Sequence, residues 1–188
     1  MAKEKKLNRL FFAVELSSLL KTQLLTFQDS FSELDAVAVP ADNFHITLSF
    51  LGNVTERQLE NLLDSIEPLP IPAFEVSTCD LIYWPKPAVM ALSLNDANNQ
   101  LLNCKNAIEK QLTQLNFFSF DKKDYLPHIT LFRQVEPPVR ENLSFNKDIK
   151  INRVSLILSH KTKYGIQYQS IESWPLQNPS IKQQLLGN

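Results

Sequence analysis

The sequence predicts an α+β fold in which two related lobes each lend one strand to a shared cleft. Strand-like and helix-like segments are mixed along the chain without the strict βαβ alternation that marks a parallel sheet. The tetrapeptide His-Ile-Thr-Leu occurs twice, at 45–48 and 128–131, with its histidines 83 residues apart. Around the first copy, Phe44 to Phe50, apolar and polar residues alternate with the period of a half-buried strand. His45 and Thr47 therefore share one face, while Phe44, Ile46, Leu48 and Phe50 share the other. His128 and Thr130 repeat the arrangement. Only three histidines occur in the chain, so a match of three further residues beside two of them is hard to assign to chance.

In chain order, Arg9–Leu16 reads as a buried strand filled by Phe11, Phe12 and Val14. Ser17 or Ser18 then caps a helix to about Leu34, with Leu20, Leu24, Phe27 and Phe31 on one stripe. Val37–Pro40 is a short extended piece, and Pro40-Ala41-Asp42-Asn43 is a turn cluster that delivers the chain into the first motif strand. Gly52-Asn53 is expected to end that strand. Thr55 caps a second helix with Leu59, Leu62, Leu63 and Ile66 inward, stopped by Pro68, Pro70 and Pro72. Phe74–Trp84 and Val89–Leu94 form a long hairpin around Pro85-Lys86-Pro87, with Tyr83 and Trp84 expected to pack within it. A third helix starts at Asn95 or Asp96 and reaches about Leu115. Leu126–Arg133 is the second motif strand, and Glu136–Asn146, with Pro137-Pro138, is expected to be a loop. Ile149–His160 and Ile166–Trp174 close the fold as a strand pair, followed by a weakly structured or short helical tail.

Composition removes several function classes. The chain has 188 residues, 44% of them hydrophobic, enough for a substantial core in one domain or two intimately packed lobes. A net charge of −1 gives no global basic field of the kind a general nucleic-acid binder carries, so an anionic substrate needs a local patch. Only Gly52, Gly165 and Gly187 occur, too few for a Walker loop or a dinucleotide fingerprint. Cys79 and Cys104 have no metal-binding spacing and read as two reduced, mostly buried thiols. Glu15 interrupts the first apolar run, and nowhere is there the run of about 18 apolar residues that spans a membrane. The expected address is the cytoplasm.

Paired histidines on matching strands suit proton transfer at phosphorus. A neutral imidazole takes a proton from the attacking water or hydroxyl, an imidazolium gives one to the leaving oxygen, and in-line displacement needs the two on opposite sides of the phosphate. His45 and His128 are the candidate acid–base pair, and Thr47 and Thr130 can donate hydrogen bonds to the non-bridging oxygens. The three dispersed histidines lack an accompanying carboxylate cluster, so no metal and no cofactor is expected.

These residues resemble the two-histidine (2H) phosphoesterase superfamily, and within it the bacterial and archaeal RNA 2′,3′-cyclic phosphodiesterases, also called 2′-5′ RNA ligases. The likeness runs through Arg9–Val14, Val39-Pro40, Asn43–Leu48, Phe50–Gly52, Pro127–Arg133 and the closing Tyr168 and Trp174-Pro175-Leu176. It implies that 1–188 is one bilobal domain, with two pseudo-twofold-related antiparallel sheets, helices outside and a central cleft. It also implies metal-independent opening of a terminal 2′,3′-cyclic phosphate to a 2′-phosphate by His45 and His128. In that picture Thr47 and Thr130 anchor the phosphate with help from Arg133, and the partners are RNA ends or small cyclic nucleotides met by a monomer.

Two residues test strict alternation. It places Arg133 on the face opposite His128 and Thr130, where an ion pair would be its ordinary use. It places Phe132 on the cleft face, where the ring could stack a base, with a core contact as the equal alternative. Where the family often carries basic and aromatic residues before the first motif, this chain has Asp35-Ala36-Val37-Ala38, leaving Lys122 and Lys123 as alternative sources of charge. His160 reads as structural or exposed. The rival functions are 2′-5′ RNA ligation, the reverse reaction through the same residues, and non-catalytic binding of RNA ends.

Overall fold

A computed structural model describes residues 7–117, 124–137, 143–163 and 165–180. The chain forms β1 (Leu7–Glu15), α1 (Ser18–Asp29), β2 (Val37–Ala38), β3 (His45–Thr55), α2 (Glu56–Ser65), β4 (Phe74–Trp84), β5 (Val89–Asn95), α3 (Gln100–Gln114), β6 (His128–Arg133), β7 (Asp148–Ile151), β8 (Arg153–Thr162) and β9 (Gly165–Pro175). Two antiparallel sheets result, one ordered β3-β1-β8-β9 and the other β2-β6-β5-β4-β7. The α+β class and the two-lobed plan follow the sequence reading. The motif strands β3 and β6 lie in different sheets, and residues of both sheets contribute to one large buried cluster.

Local chemistry explains most element ends. Ser17 caps α1 by accepting from the Leu20 N–H. The helix stops well short of Leu34: the Ser30 hydroxyl bonds the Phe27 carbonyl, a local alternative to another helical turn. Thr55 and Gln58 form a reciprocal capping box on α2. The Asp96 carboxylate accepts from the Gln100 and Leu101 N–H groups at the start of α3. The first motif strand does not end at Gly52. That glycine takes φ +74°, and β3 continues pairing with β1 as far as Leu7↔Thr55. The closing segment also divides: β7 pairs with β4 in one sheet and β8 with β1 in the other, the chain crossing between sheets at Asn152.

Each motif strand carries an irregularity at the same place. On β3 the pairing with β1 runs Ala13↔Thr47 and then Phe12↔Ser49, so Leu48 has no partner. On β6 the pairing with β5 runs Ala91↔Thr130 and then Met90↔Phe132, so Leu131 has none. An extra residue reverses the alternation of everything after it. Both sites are braced by a helix side chain. Gln28 of α1, buried, donates through Nε2 to the Leu131 carbonyl at 2.7 Å and the Val39 carbonyl at 3.1 Å. Glu109 of α3 accepts from the buried Ser49 hydroxyl at 2.8 Å and pairs with Lys105 at 2.7 Å. α1 thus supports the second motif strand, and α3 the first.

Candidate active site

His45 opens β3 and His128 opens β6, and both line one cavity of about 490 Å³ with Thr47, Thr130 and Arg133. The ring nitrogen Nδ1 of His45 lies 2.6 Å from the Asn43 carbonyl, and Nδ1 of His128 lies 2.7 Å from the Leu126 carbonyl. A carbonyl only accepts, so each Nδ1 carries a proton and each neutral imidazole keeps its lone pair on Nε2. The same backbone carbonyl, two residues upstream, thus sets the same tautomer in both lobes. Each motif threonine is paired across its sheet with an alanine, Ala13 for Thr47 and Ala91 for Thr130.

The two imidazoles differ in their surroundings. His45 sits against Phe11, with ring centroids 5.0 Å apart, and against the edge of Tyr168 at 5.1 Å. Its Nε2 is 2.9 Å from Thr47 Oγ1, which donates to it when the ring is neutral. Burial lowers its pKa to about 4, against the opposing hydrogen bond to Asn43 and with further lowering from the positive charges of His128, Arg133 and Lys21. Burial also lowers the pKa of His128, partly offset by its bond to Leu126 and reinforced by Arg133. That ring meets Trp84 edge-on at 4.8 Å. The Tyr125 hydroxyl, on the segment entering β6, donates to the Thr47 carbonyl at 3.0 Å and ties the two motifs together.

The irregularities after each motif decide which other side chains enter the cleft. Arg133 lines it, because the unpaired Leu131 returns residue 133 to the face of His128. Phe132 does not. For the same reason its ring turns into the core, 5% exposed and edge-on to Phe31 at 5.8 Å, so it is not the stacking surface that alternation predicted. Phe50, expected in the core, is 54% exposed and lines the cleft beside Phe11 at 5.8 Å. Sequence reasoning also missed Arg9, Phe11, Trp84 and Tyr168 as cleft residues. The signal for Phe11 was available, since a strand neighbour of the motif must share its face. Trp84 was expected within the hairpin, but at the end of β4 it reaches the second histidine. Lys122 and Lys123 lie outside the described residues. Cys79 and Cys104 are free thiols, the second fully buried. Among the described residues no three His, Cys, Asp or Glu side chains come together as a metal-binding group. No described helix is long and apolar enough to cross a membrane.

A sequence model described as LigT like Phosphoesterase matches residues 14–89, which takes in His45 and Thr47. The RNA 2′,3′-cyclic phosphodiesterase of Methanocaldococcus jannaschii is 26% identical over 178 residues, covering 88% of this chain and 99% of that protein. The chain is thus similar to LigT-like phosphoesterases through the first motif and to RNA 2′,3′-cyclic phosphodiesterases over most of its length. The Escherichia coli RNA 2′,3′-cyclic phosphodiesterase is 26% identical over 175 residues, covering 89% of this chain and 96% of its own. The fold agrees too. The crystal structure of E. coli LigT complexed with 3′-AMP superposes with a TM-score of 0.79 at 25% identity, over 91% of this chain and 99% of that one.

Proposed function

We propose that this protein is an RNA 2′,3′-cyclic phosphodiesterase that opens a terminal cyclic phosphate to a 2′-phosphate by paired-histidine acid–base catalysis. The observation that carries this reading is the matched tautomer: two imidazoles, each with Nδ1–H fixed to the main chain, line one cavity with two hydroxyls and a guanidinium. Curated relatives bear the name of that activity over nearly their whole length. His45 is the base. Its pKa, held down to about 4 chiefly by burial, keeps it neutral and able to accept a proton. His128 is the acid. Water attacks phosphorus and gives its proton to His45 Nε2, the bond from phosphorus to the 3′-oxygen breaks, and that oxygen takes the proton from His128 Nε2. Thr47, Thr130 and Arg133 hold the non-bridging oxygens as charge builds there. The protein works as a monomer, without a metal ion.

The test is product analysis on an oligonucleotide ending in a 2′,3′-cyclic phosphate, with EDTA in excess. The expected result is undiminished hydrolysis that yields the 2′-phosphate alone. A 3′-phosphate product would overturn the direction of opening, and dependence on added divalent ion would overturn the metal-free mechanism. Supplying a 5′-hydroxyl acceptor in a parallel reaction reads ligation directly.

A further inference from the structure

The cleft has a neighbouring cavity. β1 and β8 pair through Leu10↔Leu158 and Arg9↔Ser159, and there the pairing stops. β1 nevertheless continues to Leu7 beside β3, and β8 continues to Thr162 beside β9. The strands part, and the gap between them is a second pocket of about 460 Å³ whose lining includes Asn8, Arg9, Ser159, His160, Lys161 and Gln169. Arg9 and Ser159 line both cavities, so the second adjoins the first.

Its chemistry is that of an anion site. The chain contains 20 acidic residues, yet no Asp or Glu lines either cavity. Arg9 and Lys161 have no ion-pair partner among the described residues. Nδ1 of His160 is buried and meets no hydrogen-bond partner among them. The three histidines of the chain line these two adjoining cavities, His45 and His128 the first and His160 the second. The two cavities differ in one respect. Phe11, Phe50, Trp84 and Tyr168 line the first, whereas no Phe, Tyr or Trp lines the second. Bases find those stacking partners in the cleft, and the second cavity offers cations and amides, the equipment for a sugar–phosphate backbone.

We propose that the pocket between β1 and β8 binds the phosphodiester next to the terminal nucleotide, which makes an RNA strand, not a free cyclic nucleotide, the preferred substrate. The inference rests on reading the histidine cleft as a cyclic-phosphate site. Arg9, at the junction, bridges the two compartments, and Lys161 supplies the charge furthest from the chemistry.

The test compares kcat/KM for 2′,3′-cyclic AMP with that for a trinucleotide ending in the same cyclic phosphate. The wild-type protein is expected to favour the trinucleotide, and Lys161→Ala to lower that preference by about three- to tenfold, with Lys161→Glu lowering it further. The salt dependence of the trinucleotide reaction should also be steeper than that of the mononucleotide, by about 0.7 in log–log slope per phosphate contact. Equal preference in the wild type, or Lys161 variants that depress both substrates alike, would overturn the proposal. Binding of a trinucleotide with a 2′-phosphate end against 2′-AMP, measured by calorimetry, reads the subsite without turnover. Should neither cyclic substrate be hydrolysed, the catalytic reading falls, and the subsite stands or falls on whether Lys161→Glu abolishes the trinucleotide's binding advantage.

Discussion

The two motif strands are nearly the same object built twice. β3 and β6 open on histidine, fix its Nδ1 to a carbonyl two residues upstream, present threonine opposite alanine, and leave the following leucine unpaired. Beyond that leucine they diverge. The residue turned inward is Ser49 in one and Phe132 in the other, and the residue returned to the cleft is Phe50 in one and Arg133 in the other. One backbone device thus delivers an aromatic ring on the side of His45 and a cation on the side of His128. In the proposed mechanism the common part aims two proton-transfer groups. In that mechanism the divergent part adds a surface for a base at Phe50 and a charge for a phosphate at Arg133. These stand beside the Trp84 ring on the side of His128 and the Arg9 cation on the side of His45.

The largest effect tests the common part. His45→Ala and His128→Ala should each lower kcat by about two to four orders of magnitude, the usual range for losing general acid–base catalysis. Near-wild-type turnover in either would break the symmetry of the pair. The pH profile then separates them. As pH falls through about 4, His45 gains a proton and can no longer accept one, so the acid limb of kcat/KM belongs to it. As pH rises through the lowered pKa of His128, the acid is lost, so the alkaline limb of the free enzyme should lie below pH 6.5, the ordinary histidine value. A substrate with a p-nitrophenol leaving group needs no acid and should restore His128→Ala but not His45→Ala. The reverse pattern would exchange the two roles.

The next effect tests the divergent part. Arg133→Ala removes a charge aimed at the phosphate and should reduce kcat/KM about a hundredfold, with Arg133→Lys recovering only a fraction because it offers a point charge in place of a fork. Phe50→Ala removes only a stacking surface and should cost about five- to tenfold, mostly in KM. Comparable losses, or a Phe50 effect confined to kcat, would contradict the division of labour between Phe50 and Arg133. Thr47→Val and Thr130→Val should each lower kcat/KM by removing one donor to the non-bridging oxygens. The Thr47 hydroxyl, 2.9 Å from Nε2 of His45 in the free protein, must leave that nitrogen to serve the phosphate. Steady-state kinetics on the cyclic trinucleotide measures all five variants.

How far the sequence could be read follows from where alternation holds. From residue 45 to 48, and from 128 to 131, side chains obey the two-residue period, so both histidines and both threonines were placed on their faces from the sequence alone. Past the unpaired leucine the period slips, and Phe50, Phe132 and Arg133 all land opposite to where alternation sends them. Nothing in the local sequence announces the slip, because a leucine suits a regular strand equally well. Its braces are distant: Gln28 lies 103 residues from Leu131, and Glu109 lies 60 from Ser49. Trp84 and Tyr168 were misjudged or unassigned for a related reason. They reach the cleft through the pairing of β4 and β9 with their neighbours, which no single strand's pattern encodes.

The braces themselves supply the smallest and most discriminating test. Gln28 is 5% exposed and its amide serves two carbonyls, of which Leu131 keeps a second donor, the Val39 N–H at 2.8 Å. Gln28→Leu therefore strands the Val39 carbonyl and weakens the hold on Leu131, a loss of about 1–3 kcal/mol that lowers Tm by roughly 3–10 °C in a chain of this size. Ser49→Ala should cost less, about 1 kcal/mol, because Glu109 keeps its pairing with Lys105 at 2.7 Å. The catalytic consequences should run differently from the stability ones. Weakening the brace at Leu131 loosens the turn that returns Arg133 to the cleft, so Gln28→Leu should raise KM for the cyclic trinucleotide while leaving the limbs of the pH profile in place. Weakening the brace at Ser49 loosens only the return of Phe50, and its effect on KM should be smaller. If Gln28→Leu destabilised the fold without touching KM, the brace would be structural alone, and Arg133 would owe its position to some other contact.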